Sequence, residues 1–332
     1  MSPPYLRVRI SGPITTSSWT PESGTVESVE HRLLVRDVFR IVFFLPYDHF
    51  DIAAGVSHAL DTYVRAVEGR SSALSEYSCC WWEAFKLGER GWTLIRDTLR
   101  PKERTFFEDY PKHEARSAEK EGAHPYFTLY GERESGYCFD YRARLPFRET
   151  PPDYVSVLSV TLPTECVEEW GPGFVREWVL DMASRLPFAS GHAGLALDVA
   201  HVSIEGLAAL RPLMTRHPGF DLRNANIRDF MGTRVDGVHW LNFLGPPVLS
   251  GLGGVAGLRT RLQSPTTTVQ ELVGERAIVT LGPQPEVGDL ELGQVLPEYR
   301  ELARLLEPWL EPFEPTDDEE EALRHWWRRF LD

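Results

Sequence analysis

The stretch 240–257, WLNFLGPPVLSGLGGVAG, limits what the rest of the chain can become. Trp240, Leu241, Phe243 and Leu244 form a compact apolar run of strand length. The run stops at Gly245-Pro246-Pro247, where glycine opens backbone angles closed to other residues and two prolines fix φ and remove two amide donors. A strand cannot continue through such a corner. Pro247 instead suits the first turn of a helix carrying Val248, Leu249 and Leu252. Gly251, Gly253, Gly254 and Gly257 each cost about 1 kcal/mol against alanine inside a helix, so tertiary packing has to hold this segment, and close backbone approach is the expected reason for the glycines. A phosphate cradle does not fit, because the glycines follow the helix start and neither Gly-Lys-Ser/Thr nor a complete G-x-G-x-x-G is present. Gly245, Pro246 and Pro247 are therefore expected to be structural.

A chain of 332 residues is long enough to bury a substantial core, and the expectation is one α+β domain over 1–332, with two loosely similar halves near 1–150 and 151–332. No apolar run approaches the ~20 residues of a membrane span. The N-terminus, MSPPYLRVRISGP, lacks the basic-then-apolar order of a secretory signal, so the expected location is the cytoplasm. A formal charge of −14 argues against an autonomous nucleic-acid binder, which must displace counterions from phosphates with basic side chains. A basic protein partner fits better. Cys79, Cys80, Cys138 and Cys166 show no C-x-x-C spacing and no local histidine, so reduced thiols are expected and neither a zinc site nor a cofactor is indicated.

Tyr5 to Ile10 alternates like a short strand, and 12–24, rich in Ser, Thr and Pro, reads as a loop. The apolar runs 33–35 and 38–45 are separated by Arg36 and Asp37, which suggests a bent strand or a tight hairpin. Asp48 suits the N-cap of an amphipathic helix marked by Ile52, Val56, Leu60, Tyr63 and Val67. A shorter helix follows around Trp92 to Leu99, then a hairpin from 126–130 and 137–145, and a strand at 154–162. The segment 163–186 has a helical apolar face broken at Gly171-Pro172-Gly173, giving two helical pieces or one kinked helix. A strand at 189–199, a helix at 203–216, a strand at 276–281, a loop at 283–293 and a helix at 296–310 complete the reading, before a last helix capped by Thr316 with Leu323, Trp326, Trp327, Phe330 and Leu331 on its apolar face. Strands mixed with helices and hairpins favour an α+β fold whose sheet is largely antiparallel or mixed.

The phrase WLNFLGPPVLSGLGG, taken with RLPFASGHAGLAL at 185–197 and the Trp-rich helix before it, resembles the bacterial type VI immunity family, from the strand near Leu33 to the helix near Trp309. That resemblance implies an antitoxin that binds a cognate secreted effector, in some cases a nuclease, and protects the producing cell. The shared motifs are structural, so they imply neither the toxin nor the contact residues.

The candidate chemical groups are sparse. His192, Asp198 and His201 lie close in sequence, but on one strand His192 and Asp198 stand ~20 Å apart at strand rise and cannot meet around one ion. His239, with Asp229 and Asp236 nearby, lacks a nucleophile, and no G-x-S-x-G elbow, H-E-x-x-H helix or paired-metal carboxylate motif occurs. Each of the pairs Trp81-Trp82 and Trp326-Trp327 points two rings in different directions, so one can pack inside while the other meets a rim or a partner. The densest acidic run is Glu311, Glu314, Asp317, Asp318, Glu319, Glu320 and Glu321; it is read both as a solvated helix start that favours the helix dipole and as a docking surface for a basic toxin. The leading expectation is thus a non-enzymatic immunity protein that occludes its effector, without catalytic residues, cofactor or metal, and with room for a homodimer. The alternatives are a hydrolase with an unrecognised active site and a scaffold component of the secretion apparatus.

Overall fold

The computed structural model of the chain describes residues 5–20, 24–79, 84–100, 126–132, 134–144, 153–199, 204–222, 230–312 and 320–332. Its organising element is strand β2 (Gly24–Leu45), 22 residues long. The apolar runs 33–35 and 38–45 belong to this one strand, so Arg36-Asp37 is not the turn of a hairpin. Both charges are paired, so neither has to be expelled to solvent. Arg36 lies 3.6 Å from a carboxylate oxygen of Glu165 and donates to the Glu134 carbonyl. The fully buried Asp37 carboxylate accepts from the Val8 amide at 2.7 Å and from Arg7 and Arg9.

Strand β1 (Arg9–Thr20) pairs antiparallel with β2 from Thr20↔Gly24 to Arg9↔Arg36. Most of the expected loop at 12–24 is therefore strand. The ladder satisfies the backbone whatever the side chains, and threonine suits a pleated surface well.

Helix α1 (His49–Val67) stands where its periodicity placed it. Asp48 occupies the N-cap position, yet its carboxylate makes no cap hydrogen bond and instead accepts from Arg144 Nε at 2.8 Å. Next come β3 (Glu76–Cys79), β4 (Phe85–Lys86), α2 (Glu89–Thr98), β5 (Tyr126–Tyr130), β6 (Cys138–Arg142) and β7 (Ser156–Pro163). Helices α3 (Thr164–Trp170) and α4 (Pro172–Ala183) are the two expected pieces, separated at Gly171, whose φ of 78° is a glycine conformation. The remaining elements are β8 (Ser190–Val199), α5 (Ile204–Arg216), β9 (Leu241–Leu244), α6 (Pro246–Gly251), α7 (Gly254–Arg261), β10 (Thr267–Leu272), β11 (Arg276–Leu281), α8 (Pro297–Leu306) and α9 (Glu320–Trp327).

The eleven strands among the described residues form one sheet in the order β10-β11-β9-β8-β2-β7-β6-β5-β3-β4, with β1 on β2, and each of their ladders is antiparallel. This is the expected α+β class. The two halves interlock: β2 lies between β7 and β8, and β7 lies between β2 and β6. After its first helix the first half enters the sheet beyond β6 and works inward, whereas the second half enters beside β2 and works outward.

Side chains alternate across β2. Val35, Phe39, Ile41, Phe43 and Leu45 join the main core with Ile52, Val56, Leu60 and Tyr63 of α1 and Val175, Val179 and Met182 of α4. The opposite face carries Arg36, Val38, Arg40, Val42 and Phe44. In register beside them lie Ser159 and Thr161 of β7 and His192, Gly194 and Asp198 of β8. Further out on that face, Leu244, Ala277 and Val279 pack with Val248 and Leu249 of α6 and Leu302 and Leu306 of α8 in a second core. A strip of buried polar groups thus runs through the sheet beside an apolar one.

Candidate functional site on the polar face of the sheet

Four side chains meet on this face. Strand β2 supplies Arg40 opposite Gly194, and β8 supplies His192, which stands between Val42 of β2 and Asn242 of β9. The ladder of β9 along β8 ends at Leu241↔Ala193, and beyond it Asp221 takes the vacated edge. Asp221 forms a parallel bridge with Ala196, its amide donating to the Leu195 carbonyl at 2.9 Å and its carbonyl accepting from Leu197 at 2.8 Å. That register puts the Asp221 carboxylate on the face of Ala196 and His192. His239 precedes β9 and is pinned by Asn242, whose Oδ1 accepts from the His239 amide at 2.9 Å while Nδ2 donates to the His239 carbonyl at 2.7 Å. Gly194 leaves the space: a Cβ there would stand 3.4 Å from the His239 Cβ.

The imidazoles of His192 and His239 stack with ring centroids 3.9 Å apart and 17° between planes. His192 Nε2 lies 3.4 Å from Asp221 Oδ2. The Arg40 guanidinium lies 3.2 Å from the same oxygen and 3.7 Å from Asp198 Oδ1. All four groups of the cluster are buried, and Nδ1 of His239 has no hydrogen-bond partner. Burial alone would raise the Asp221 pKa, but Arg40 and the two imidazoles hold it well below the usual carboxylate range. Burial, followed by the like charge that His192 would carry, pushes His239 well below its ordinary value, so its ring is neutral. Two imidazolium ions could not share this stack.

Of the histidines and carboxylates singled out in the sequence, His192 and His239 come together. Asp198 stays at the far end of β8, and Arg40 spans the gap to it. Asp236 is buried near His239 and favours its charged form. His201 and Asp229 lie outside the described residues. The pattern reading missed Arg40 and Asp221. Arg40 had a signal, a lone charge inside the apolar run 38–45 of a strand buried on both faces, which requires a buried partner. Asp221 had none, since it belongs to no periodic segment. Neither imidazole is hydrogen-bonded to a hydroxyl or thiol among the described residues, so the cluster holds a bonded imidazole and carboxylate but no activated nucleophile.

At the corner, Gly245 has φ −90° and ψ 178°, angles open to any residue. The expectation that glycine supplies special backbone angles there is corrected. Its small size is what matters, because a Cβ would stand 2.5 Å from the Ala189 carbonyl oxygen and 2.6 Å from that of Phe188. Pro246 and Pro247 open α6, with Pro247 in its first turn as expected. Gly251 is pressed against the Trp309 ring, Gly253, at φ 83°, lies between α6 and α7, and Gly254, at φ 70°, is the first residue of α7.

Among the acidic candidates, Glu311 is half-buried and its amide donates to the Val235 carbonyl at 3.0 Å. Glu314, Asp317, Asp318 and Glu319 lie outside the described residues, and Glu320 and Glu321 open α9. The wider stretch 283–321 holds thirteen carboxylate residues against two arginines, so most of the formal charge of −14 lies there. Leu292 and Val295 project from the same stretch, 70% and 43% exposed. No helix among the described residues is long and apolar enough to cross a membrane.

Residues 58–330 match the TsiV family, described as type VI immunity for VRR-NUC. The chain belongs to that family. The TsiV match begins inside α1, so β1 and β2 lie ahead of it. Among solved structures, the Pseudomonas aeruginosa T6SS protein PA0821 is similar, with a TM-score of 0.71 and 18% identity over 91% of this chain and 83% of that one. At that identity the likeness is one of fold. No curated protein matches the chain. As a TsiV member the chain is a type VI immunity protein for a nuclease effector.

Proposed function

We propose that this chain neutralises its effector by stoichiometric binding, laying carboxylates over the basic surface on which the nuclease holds nucleic acid. One observation carries the reading: most of the net negative charge is concentrated in 283–321. A nuclease has to neutralise phosphates, so its substrate surface is basic, and an acidic protein competes for it by charge. Glu311, Glu314, Asp317, Asp318, Glu319, Glu320 and Glu321 are the proposed contacts. The binding needs no catalytic step in this chain. It is read as acting in the cytoplasm, and as a single domain because one sheet runs through both halves.

The hydrolase reading has one observation in its favour, the imidazole and carboxylate bonded to each other in the polar strip. A titration of nuclease activity against purified immunity protein separates the two. Occlusion gives an end point at a fixed molar ratio. Inactivation of many effector molecules by one copy would overturn it and support an enzyme.

A further inference from the structure

We infer that His192, Asp221 and His239 form a binding site for one divalent transition-metal ion of the zinc class. The three side chains offer one ligand atom each, and these atoms lie within 4.8 Å of one another on buried residues. A tetrahedral site with bonds of ~2.0–2.1 Å separates its ligand atoms by about 3.3 Å. The His192 Nε2 to Asp221 Oδ2 separation of 3.4 Å is long for a charge-assisted hydrogen bond and matches that edge. Rotation of the His239 ring out of its stack brings the third ligand in.

Two further observations point the same way. Nδ1 of His239 is buried without a partner, and a buried polar atom of that kind requires either an explanation or a ligand. Asn242 fastens the His239 backbone at its amide and carbonyl, so the third ligand is carried on a fixed segment and only its ring has to turn. Two imidazoles and a carboxylate suit zinc and its neighbours better than calcium or magnesium, which prefer all-oxygen ligand sets. Water supplies the remaining position. The Arg40 guanidinium holds the same carboxylate oxygen and competes with the ion; on binding it shifts toward Asp198, with which it is already paired at 3.7 Å. The ion ties β8, the turn after α5 and the loop before β9 into one unit, so it stabilises the folded chain in proportion to its affinity.

The test is titration of Zn²⁺ into the full-length chain stripped of metal, followed by calorimetry, with Co²⁺ as a visible probe of geometry. One equivalent taken up with the intense absorption of tetrahedral Co²⁺, together with a raised melting temperature, is expected. His239→Gln, checked for an unchanged circular dichroism spectrum, should weaken binding at least tenfold. His31→Gln with His325→Gln, on the surface, should leave it intact. No saturable uptake, the weak absorption of octahedral Co²⁺, binding unaffected by His239→Gln, or loss in the surface variant would each overturn the site. If His239→Gln does not fold, the Co²⁺ spectrum of the parent and the surface variant decide the question.

Discussion

Gly245 donates its amide to the Ala189 carbonyl at 2.8 Å, and a Cβ on Gly245 would stand 2.5 Å from that same oxygen. The hydrogen bond that fixes the end of β9 beside β8 leaves no room for a side chain. Gly245→Ala should therefore destabilise by about 1–3 kcal/mol, as overpacking does, and Gly245→Val by more. Gly245→Asn discriminates between the causes. Asparagine tolerates positive φ but brings a Cβ, so it should melt no higher than the alanine variant; a rescue by asparagine would show that backbone angle, not space, is the constraint.

Arg40 and Asp221 form a buried ion pair joining β2 to the turn after α5. Removing one partner strands a charge, and Arg40→Met should cost about 3–5 kcal/mol in urea unfolding. Arg40→Met combined with Asp221→Leu should recover a large part of that loss, because it removes both charges. Additive losses in this cycle would show that the two side chains do not interact.

His49 is fully buried, with Nδ1 2.9 Å from the Tyr141 hydroxyl and Nε2 2.9 Å from the Thr98 carbonyl. Burial lowers its pKa from 6.5 to about 4. The unfolded chain therefore binds this proton first, and the stabilisation is complete above pH 6.5 and lost as the pH falls toward 4. At pH 5 the loss is about 2 kcal/mol. Melting curves between pH 7 and pH 4.5 should fall more steeply for the parent than for His49→Asn. Parallel curves would exclude the assignment.

Much of this fold was legible, and the illegible parts share a cause. The face of α1, the break at Gly171 and the strand 276–281 are written in periodicity and in glycine, both local features. The strand nature of 12–20 is not local, since it comes from a ladder with β2. Arg36-Asp37 looked like a break because its charge partners, Glu165 on α3 and Arg7 and Arg9 near the N-terminus, are distant in sequence. The polar strip was hidden for the same reason. His192 and His239 could be named, but only the register of β8 against Asp221 makes them neighbours.

Neutralising Asp317, Asp318, Glu319, Glu320 and Glu321 to Asn and Gln should slow association with the effector and flatten its salt dependence, with little change in dissociation or in melting. Charge-steered encounter is sensitive to ionic strength, whereas apolar anchors set the slow off-rate. Stopped-flow or surface-binding kinetics at two or more salt concentrations would measure this. An association rate indifferent to both salt and substitution would remove this stretch as the docking surface.

The place of β2 between β7 and β8 also has a consequence for biosynthesis. Its long partners are residues 156–163 and 190–199, so the C-terminal half of the strand emerges from the ribosome with both edges unpaired. At 5–20 residues per second the wait for β8 lasts about 8–30 s. Until then Phe39, Phe43 and Phe44 lack a β8 neighbour and leave apolar side chains and an unpaired strand edge, the features that make nascent intermediates aggregation-prone. The sheet therefore cannot close on both sides of β2 until residue 199 has been synthesised.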